Sequence, residues 1–309
     1  MSDTIGVLLL AYGTPASPDD IEAYYTHIRR GRPPTPQLLQ ELKLRYEAIG
    51  GSSPLLEIAR AQASGLEALL NADGAHQFRV FLGMKHAAPF IEEGVATLAA
   101  AGVDRAVALV LAPHYSTRSV GEYLGRVRAA AAEHPGLEFA FIEQWHLDPG
   151  YLGLLADRVR SASDRLAADG ARVRVLFTAH SLPQRILESG DPYPGQVRET
   201  AAAVARLVGV EDWSVAWQSA GRTDEPWIGP DVRDVVRELP AEGRTGVLIC
   251  PAGFVSDHLE VLYDLDIECA QVARELGLRY ARTPSPNADP EFIEVLAQVV
   301  SARLQTDPR

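Results

Sequence analysis

The chain has 309 residues, 47% of them hydrophobic and 23% charged, with a formal net charge of −12. That length suffices for one large or two ordinary globular domains, and the acidic balance excludes a general nucleic-acid partner, whose phosphates call for a basic surface. Two cysteines, Cys250 and Cys269, exclude an iron–sulfur cluster or a zinc site held by four cysteines of one chain.

The expected elements alternate. Short apolar runs separated by segments of helical period are the pattern of β-α units on a parallel sheet. The first half reads as a strand near Gly6–Ala11, helices over Pro36–Ala48 and Ile58–Leu70, and a strand near Phe78–Gly83. It continues with a helix over Phe90–Ala101, a strand near Ala106–Ala112, a helix over Val120–Ala132 and a strand near Glu138–Glu143. A helix over Tyr151–Ala168 leads to the second half, with strands near Val173–Thr178, Ser214–Trp217, Gly246–Cys250 and Gly277–Tyr280. Its helices are Tyr193–Leu207, Val232–Leu239, His258–Glu275 and Pro290–Leu304. Both cysteines lie in apolar segments and read as small core residues. The scarcity of cysteine fits a reducing cytoplasm. Met1-Ser-Asp-Thr4 has no basic leader, and no apolar run approaches the roughly 18 residues of a membrane span. A cytoplasmic protein without membrane insertion is expected.

The halves echo one another. Leu9-Leu-Ala-Tyr12-Gly-Thr-Pro15 matches Phe177-Thr-Ala-His180-Ser-Leu-Pro183, which sets Tyr12 and His180 in register. Pro113 aligns with Pro251, and nine residues after each stands a glutamate, Glu122 or Glu260. The expected fold is α/β: two similar Rossmann-like domains, each a four-stranded parallel sheet flanked by helices, with the active cleft between them. The domains are placed at 1–155 and 156–309, with the last helix free to pack on the first domain. Ligands of open α/β sheets bind outside the carboxyl ends of the strands. The loop after the first strand, Ala11-Tyr-Gly-Thr-Pro-Ala-Ser-Pro18, lacks G-x-G-x-x-G, and the chain has no P-loop, G-x-S-x-G or H-E-x-x-H. Nicotinamide, nucleotide and zinc-protease chemistry are disfavoured.

Several residue groups carry chemistry. His180 ends a strand; a neutral imidazole is both a nitrogen ligand for iron and a base with a pKa near neutrality. Glu260, Asp264 and Glu268 are spaced i, i+4, i+8, which on a helix is one face, with Asp257 one turn earlier. That row is either an acidic surface stripe or a ladder of oxygen ligands leading a divalent cation to the imidazole. The basic segment Ile28-Arg29-Arg30-Gly-Arg32-Pro-Pro, followed by Lys43, Arg45 and Tyr46, stands out in an acidic chain. It is either a solvated loop or a grip for several carboxylates, which arginine pairs bidentately. Ile49-Gly-Gly-Ser-Ser53-Pro is a turn. Tyr12, Tyr24, Tyr25, Tyr123, Trp217 and Trp227 lie in or near loops after strands and could wall a flat ligand.

In this order, these motifs resemble the ferrochelatases, over essentially the whole chain. The matching segments include Ala11-Tyr-Gly-Thr-Pro15, Tyr24-Tyr-Thr-His-Ile-Arg-Arg-Gly-Arg32, Arg45-Tyr-Glu-Ala-Ile-Gly-Gly51 and Leu111-Ala-Pro-His-Tyr-Ser116. Ala179-His-Ser-Leu-Pro183, Gly190-Asp-Pro-Tyr-Pro194, Pro226-Trp-Ile-Gly-Pro230 and Asp257-His-Leu-Glu-Val-Leu-Tyr-Asp264 continue the series. Tyr12, where many protoporphyrin enzymes have methionine, and the absence of an apolar lip after Arg30 bring the chain nearest the coproporphyrin III branch.

The resemblance implies a lyase that inserts Fe2+ into coproporphyrin III to form coproheme, with protoporphyrin IX insertion as the alternative. It implies that His180 and Glu260 bind the iron and manage the pyrrole protons, while Asp264 and Glu268 line a metal path. Tyr12 would lie at the axial side of the macrocycle. Arg29, Arg45, Tyr46, Ser53 and Tyr123 would hold the tetrapyrrole, with Trp227 packed on it. Fe2+ enters as substrate, with no permanently bound cofactor and no iron–sulfur cluster, and transient contact with the next haem-pathway enzyme is expected. The competing class is a non-catalytic tetrapyrrole or metal carrier on the same fold, which would need the pocket but no proton acceptor.

Overall fold

The computed structural model describes residues 4–306 apart from 73, 75 and 169; Met1–Asp3, read above for a leader, lie outside them. The first half contains β1 (Thr4–Ala11), α1 (Ile21–Ile28), α2 (Pro36–Ala48), α3 (Leu55–Leu70), β2 (Gln77–Met84) and α4 (Ile91–Ala100). β3 (Arg105–Val110), α5 (Val120–Ala131) and β4 (Glu138–Ile142) complete its sheet, and α6 (Pro149–Ala168) follows. The second half contains β5 (Val173–His180), α7 (Arg185–Glu188), α8 (Tyr193–Val208), β6 (Trp213–Gln218), α9 (Val232–Glu238) and β7 (Gly246–Cys250). Then come α10 (Leu259–Tyr263), a π-helical turn (Asp264–Cys269), α11 (Ala270–Glu275), β8 (Arg279–Arg282) and α12 (Pro290–Thr306).

Each half is a four-stranded parallel sheet, in the orders β2-β1-β3-β4 and β6-β5-β7-β8. The two orders are the same permutation, so β5 stands where β1 stands, and β7 where β3 stands. Period-two patterning explains both sheets. Ile5, Val7 and Leu9 of β1 join Val175 and Phe177 of β5 and Leu248 and Cys250 of β7 in one core, closed by Tyr151, Phe292 and Leu296. Leu8 and Leu10 face a separate core with α4 and α5, and Leu176, Val247 and Ile249 another with α9 and the π-helical turn. Strands buried on both faces read as continuous apolar runs, which is why the eight were visible in the sequence.

The helices add detail. α6 runs unbroken through the expected 155/156 division and packs on α8, β7 and β8, while α12 returns to lie on α3, β3 and β4. α1 was not expected; it is only eight residues long and ends in a turn where Arg30 and Gly31 take φ of 57° and 81°. The final strand begins two residues later than expected because Gly277, at φ 69°, still belongs to the preceding turn. The helix expected over His258–Glu275 is widened at its centre into the π-helical turn.

Candidate active site

The strand ends of both sheets open on one cleft of about 1030 Å³, at the upper edge of the range of small-molecule sites. Tyr12 and His180 come from its two equivalent strand ends, β1 and β5. Glu122 and Glu260 come from the helices that follow the equivalent strands β3 and β7. Duplication thus supplies one frame twice and fills it differently: Glu122 is taken by Lys85 at 2.7 Å, whereas Glu260 meets imidazoles.

A glycine makes that meeting possible. A Cβ on Gly253 would stand 2.6 Å from the Ala179 Cβ and 2.8 Å from its Cα, so only glycine lets the loop after β7 lie against β5. Its N–H donates to the Thr178 carbonyl at 3.0 Å. The result places His180 Nε2 3.4 Å from Glu260 Oε1 and His258 Nε2 3.5 Å from Glu260 Oε2. Both rings are turned the same way. His180 Nδ1 faces the Ser181 carbonyl, and His258 Nδ1 faces the Ser256 carbonyl at 2.9 Å. A carbonyl can only accept, so each Nδ1 carries hydrogen and each Nε2 is left to the carboxylate.

The charges follow from this packing. Burial opposes protonation of His180, but the charge and hydrogen bond of Glu260, the Ser181 carbonyl and Asp264 outweigh it and lift the pKa to about 9. Burial works equally against ionised Glu260, and the two imidazoles overcome it, pulling its pKa well below the carboxylate range. At neutral pH the pair is an imidazolium–carboxylate. The other wall behaves oppositely. His86, under the Tyr12 ring at 4.6 Å between centroids, is pushed down to about 3 by burial, Lys85, His27 and Arg126. His114 is pushed down to about 3 by burial and His146. These two are neutral, and it is His180 that its charged and hydrogen-bonded neighbours, against burial, have poised to carry a proton.

Asp264 and Glu268 also line the cleft. An α-helix overshoots by about 40° at each step of four residues, so a straight helix would swing Glu268 away from Glu260. The π-helical turn is wider and brings it back. Nothing in the spacing announced that turn, and the carboxylates are not a bare ladder. Asp264 accepts from Ser219 Oγ, a residue held at φ 61°, and lies 3.5 Å from Arg45. Burial and Glu260 raise its pKa to about 6 against Ser219 and Arg45. Glu268 is paired with Arg233 at 2.9 Å. Among the described residues, no three His, Cys, Asp or Glu side chains converge as a preformed metal centre. Asp257, expected one turn ahead of the row, is instead bound by Ser285 and Asn287 and does not line the cleft.

Arg29, Arg45, Tyr46, Ser53, Tyr123 and Trp227 all line the same cleft as Tyr12. Arg45 is already engaged, by Asp264 and by the Tyr263 ring at 4.8 Å, which the sequence could not show because the partners lie in the other half. Tyr46, Ser53 and Tyr123 are buried walls. Tyr12 is 41% exposed, unusual for an aromatic residue and in keeping with a wall left open for a ligand. Trp227 folds over Gly221, where a Cβ would lie 2.3 Å from its ring, and sits 6.4 Å from His180 between centroids. Of the other aromatics singled out, Tyr24 donates to the Gly13 carbonyl at 3.0 Å, Tyr25 lies under Arg29, and Trp217 is core. His258, His86, Ser219 and Arg233 were not singled out. Isolated in sequence, they gain a role only from what they touch.

A family model for Ferrochelatase matches residues 4–304. A Geobacillus thermodenitrificans protein named coproporphyrin III ferrochelatase is 50% identical over 304 residues, 97% of this chain and 96% of its own. A Bacillus subtilis protein of the same name is 47% identical over 303 residues, 97% of this chain and 98% of that one. Among solved structures, SirB from Bacillus subtilis with Fe3+ aligns at a TM-score of 0.60 and 13% identity over 98% of this chain and 96% of that one, a likeness of fold alone. No described helix is long and apolar enough to cross a membrane. With a match that runs from the first strand to the last helix and relatives half identical along nearly their full length, the chain belongs to the ferrochelatase family.

Proposed function

We propose that the protein is a cytoplasmic lyase that inserts Fe2+ into coproporphyrin III, giving coproheme in haem biosynthesis. The observation that carries this reading is the His180–Glu260 pair on the second-half wall of a cleft large enough for a macrocycle, in a chain so similar to proteins named for that activity. The reaction exchanges Fe2+ for the two pyrrole N–H protons. A planar ring hides its nitrogen lone pairs, so contacts around its edge must bend it, using remote binding energy to strain the ground state. Fe2+ approaching Glu260 replaces the imidazolium as the carboxylate's counter-charge. His180 then releases its Nε2 proton through the carboxylate row to water, takes one pyrrole proton, passes it on by the same route and takes the second, so that two protons reach water for each Fe2+ inserted. Tyr12 faces the other side of the ring. Iron is a substrate, and the chemistry asks for no resident cofactor or iron–sulfur cluster. Coproheme passes on by transient contact with the next enzyme of the pathway. A passive carrier would have no use for an imidazole held charged beside a carboxylate.

Asp264 and Glu268 are read as way-stations for the metal. Asp264→Asn and Glu268→Gln are expected to raise the apparent KM for Fe2+ several-fold with little loss of kcat. Because Asp264 ionises above about 6, KM for Fe2+ should fall as the pH rises through that value, and Asp264→Asn should flatten the fall. If neither variant changed the iron requirement, the row would be a surface stripe with one catalytic member.

Substrate choice rests on anionic handles, four in coproporphyrin and two in protoporphyrin. A charge-assisted hydrogen bond contributes about 1.5–3 kcal/mol when desolvated, so two more satisfied propionates favour coproporphyrin by about a hundredfold after discounting for exposure. Anaerobic insertion assays with coproporphyrin III and protoporphyrin IX are expected to show that ratio in kcat/KM. Equal values, or a preference for protoporphyrin, would overturn the substrate and leave the chelatase.

A further inference from the structure

We infer that Arg118 is a second anchor for the carboxylate arms of the porphyrin, separate from the Arg29–Arg32 turn, and that it lets the cleft distinguish a four-armed from a two-armed substrate. The inference rests on the coproporphyrin reading above and deepens it.

Nine lysine and arginine side chains line the cleft. Five are already matched to carboxylates: Arg45 to Asp264, Lys85 to Glu122, Arg185 to Glu225, Arg222 to Glu41 and Arg233 to Glu268. The four that no described carboxylate reaches are Arg29, Arg30 and Arg32, on the turn after α1, and Arg118, between β3 and α5. In a chain of net charge −12, an arginine facing a cavity without a carboxylate is available to an outside anion, which its planar fork grips bidentately.

The backbone beneath Arg118 is fixed, which separates it from an ordinary solvated arginine. Its N–H donates to Ser116 Oγ at 3.2 Å. Ser116 Oγ in turn donates to Asp191 Oδ2 at 3.1 Å, and the same oxygen accepts from Thr117 N at 2.8 Å and Thr117 Oγ1 at 2.7 Å. Asp191 is buried and belongs to the second half, just ahead of α8. One residue earlier, Tyr115 N donates to Gln196 Oε1 at 2.7 Å. The loop is therefore tied across the two halves, and it is a different element of the cleft wall from the Arg29–Arg32 turn, which follows α1. Backbone order of this kind lowers the cost of holding a long side chain against a ligand.

The substrate supplies the matching asymmetry. Protoporphyrin carries its two propionates on neighbouring pyrroles, along one edge, and a single basic patch satisfies both. Coproporphyrin carries one on every pyrrole, so its arms point round the whole ring and need cations on more than one element of the rim. Arg118 meets that requirement.

The test is Arg118→Gln beside Arg118→Lys, with kcat and KM measured for both porphyrins, and the affinity for metal-free coproporphyrin titrated by fluorescence at several salt concentrations. Arg118→Gln is expected to lower kcat/KM for coproporphyrin III about tenfold, through KM, and for protoporphyrin IX by less than twofold. The salt dependence of coproporphyrin binding should weaken, and lysine should recover part of the loss. A wild-type protein that prefers coproporphyrin, with the preference intact in Arg118→Gln, would overturn the anchor alone. So would equal losses on the two porphyrins. A wild-type protein without the preference would instead overturn the substrate reading.

Discussion

Replacing His180 with alanine is expected to lower kcat for iron insertion at least about a thousandfold, within the range by which a positioned general base accelerates proton transfer, while porphyrin affinity stays within a few-fold of wild type. The separation of the two effects follows from placement. His180 sits at the carboxyl end of β5 with its Nε2 on Glu260, whereas the groups read as gripping the tetrapyrrole edge lie mainly on the first half, in α2, α5 and the turns around them. Two histidines of the opposite wall cannot substitute. His86 and His114 are neutral down to about pH 3 and would be poor proton acceptors at neutral pH. Anaerobic turnover and porphyrin fluorescence titration measure the two quantities. Iron insertion at a near-normal rate by His180→Ala would sink the mechanism.

The second large effect concerns Glu260 and separates two possible tasks. In Glu260→Gln the carboxylate that lifts His180 to about 9 is gone. Burial is then opposed only by the Ser181 carbonyl and Asp264, and the imidazole pKa falls from about 9 toward its ordinary value of about 6.5. At pH 7.5 the variant's His180 would be a free base, where the wild-type group is still protonated. If Glu260 served only to hold His180 charged, its loss would therefore speed insertion at neutral pH. If it receives the metal and passes the released protons on, kcat should drop by about three orders of magnitude at every pH. The latter is the expected result. The residual rate should carry the sign of the shift: wild-type kcat/KM for Fe2+, which reports the iron-free enzyme, rises with pH as the imidazolium deprotonates toward 9, and the rising limb of Glu260→Gln should move down by more than one pH unit. A full pH profile of kcat and of kcat/KM for Fe2+ in each protein, with porphyrin saturating and iron varied, reads both. An unshifted limb, or a variant as fast as wild type, would refute the pairing of these two side chains in catalysis.

Much of this molecule was legible in its sequence. All eight strands, the four-and-four division and the equivalence of Tyr12 with His180 followed from apolar runs and internal echoes, because doubly buried parallel strands leave an uninterrupted apolar trace and a duplicated frame repeats its loops. The family was equally legible, since its loop motifs run through the chain in order. His180, Glu260 and the tetrapyrrole residues named from that resemblance all prove to line one cleft.

What the sequence could not determine was the electrical state of those residues, because charge and pKa are set by neighbours distant in the chain. The three carboxylates at i, i+4, i+8 promised a uniform acidic row. Folding gave one to two imidazoles, the next to Ser219 and Arg45, and the last to Arg233. Their common face depends on a π-helical turn that no residue pattern marked. His180 and His86 are alike as sequence, each closing a strand-to-loop segment. Only packing decided that one would be held charged beside Glu260 while the other was stripped of its proton by burial and the nearby Lys85. Local patterning selects strands and helices because those depend on near neighbours; a proton's place depends on the whole fold, and so only the tertiary structure decided it.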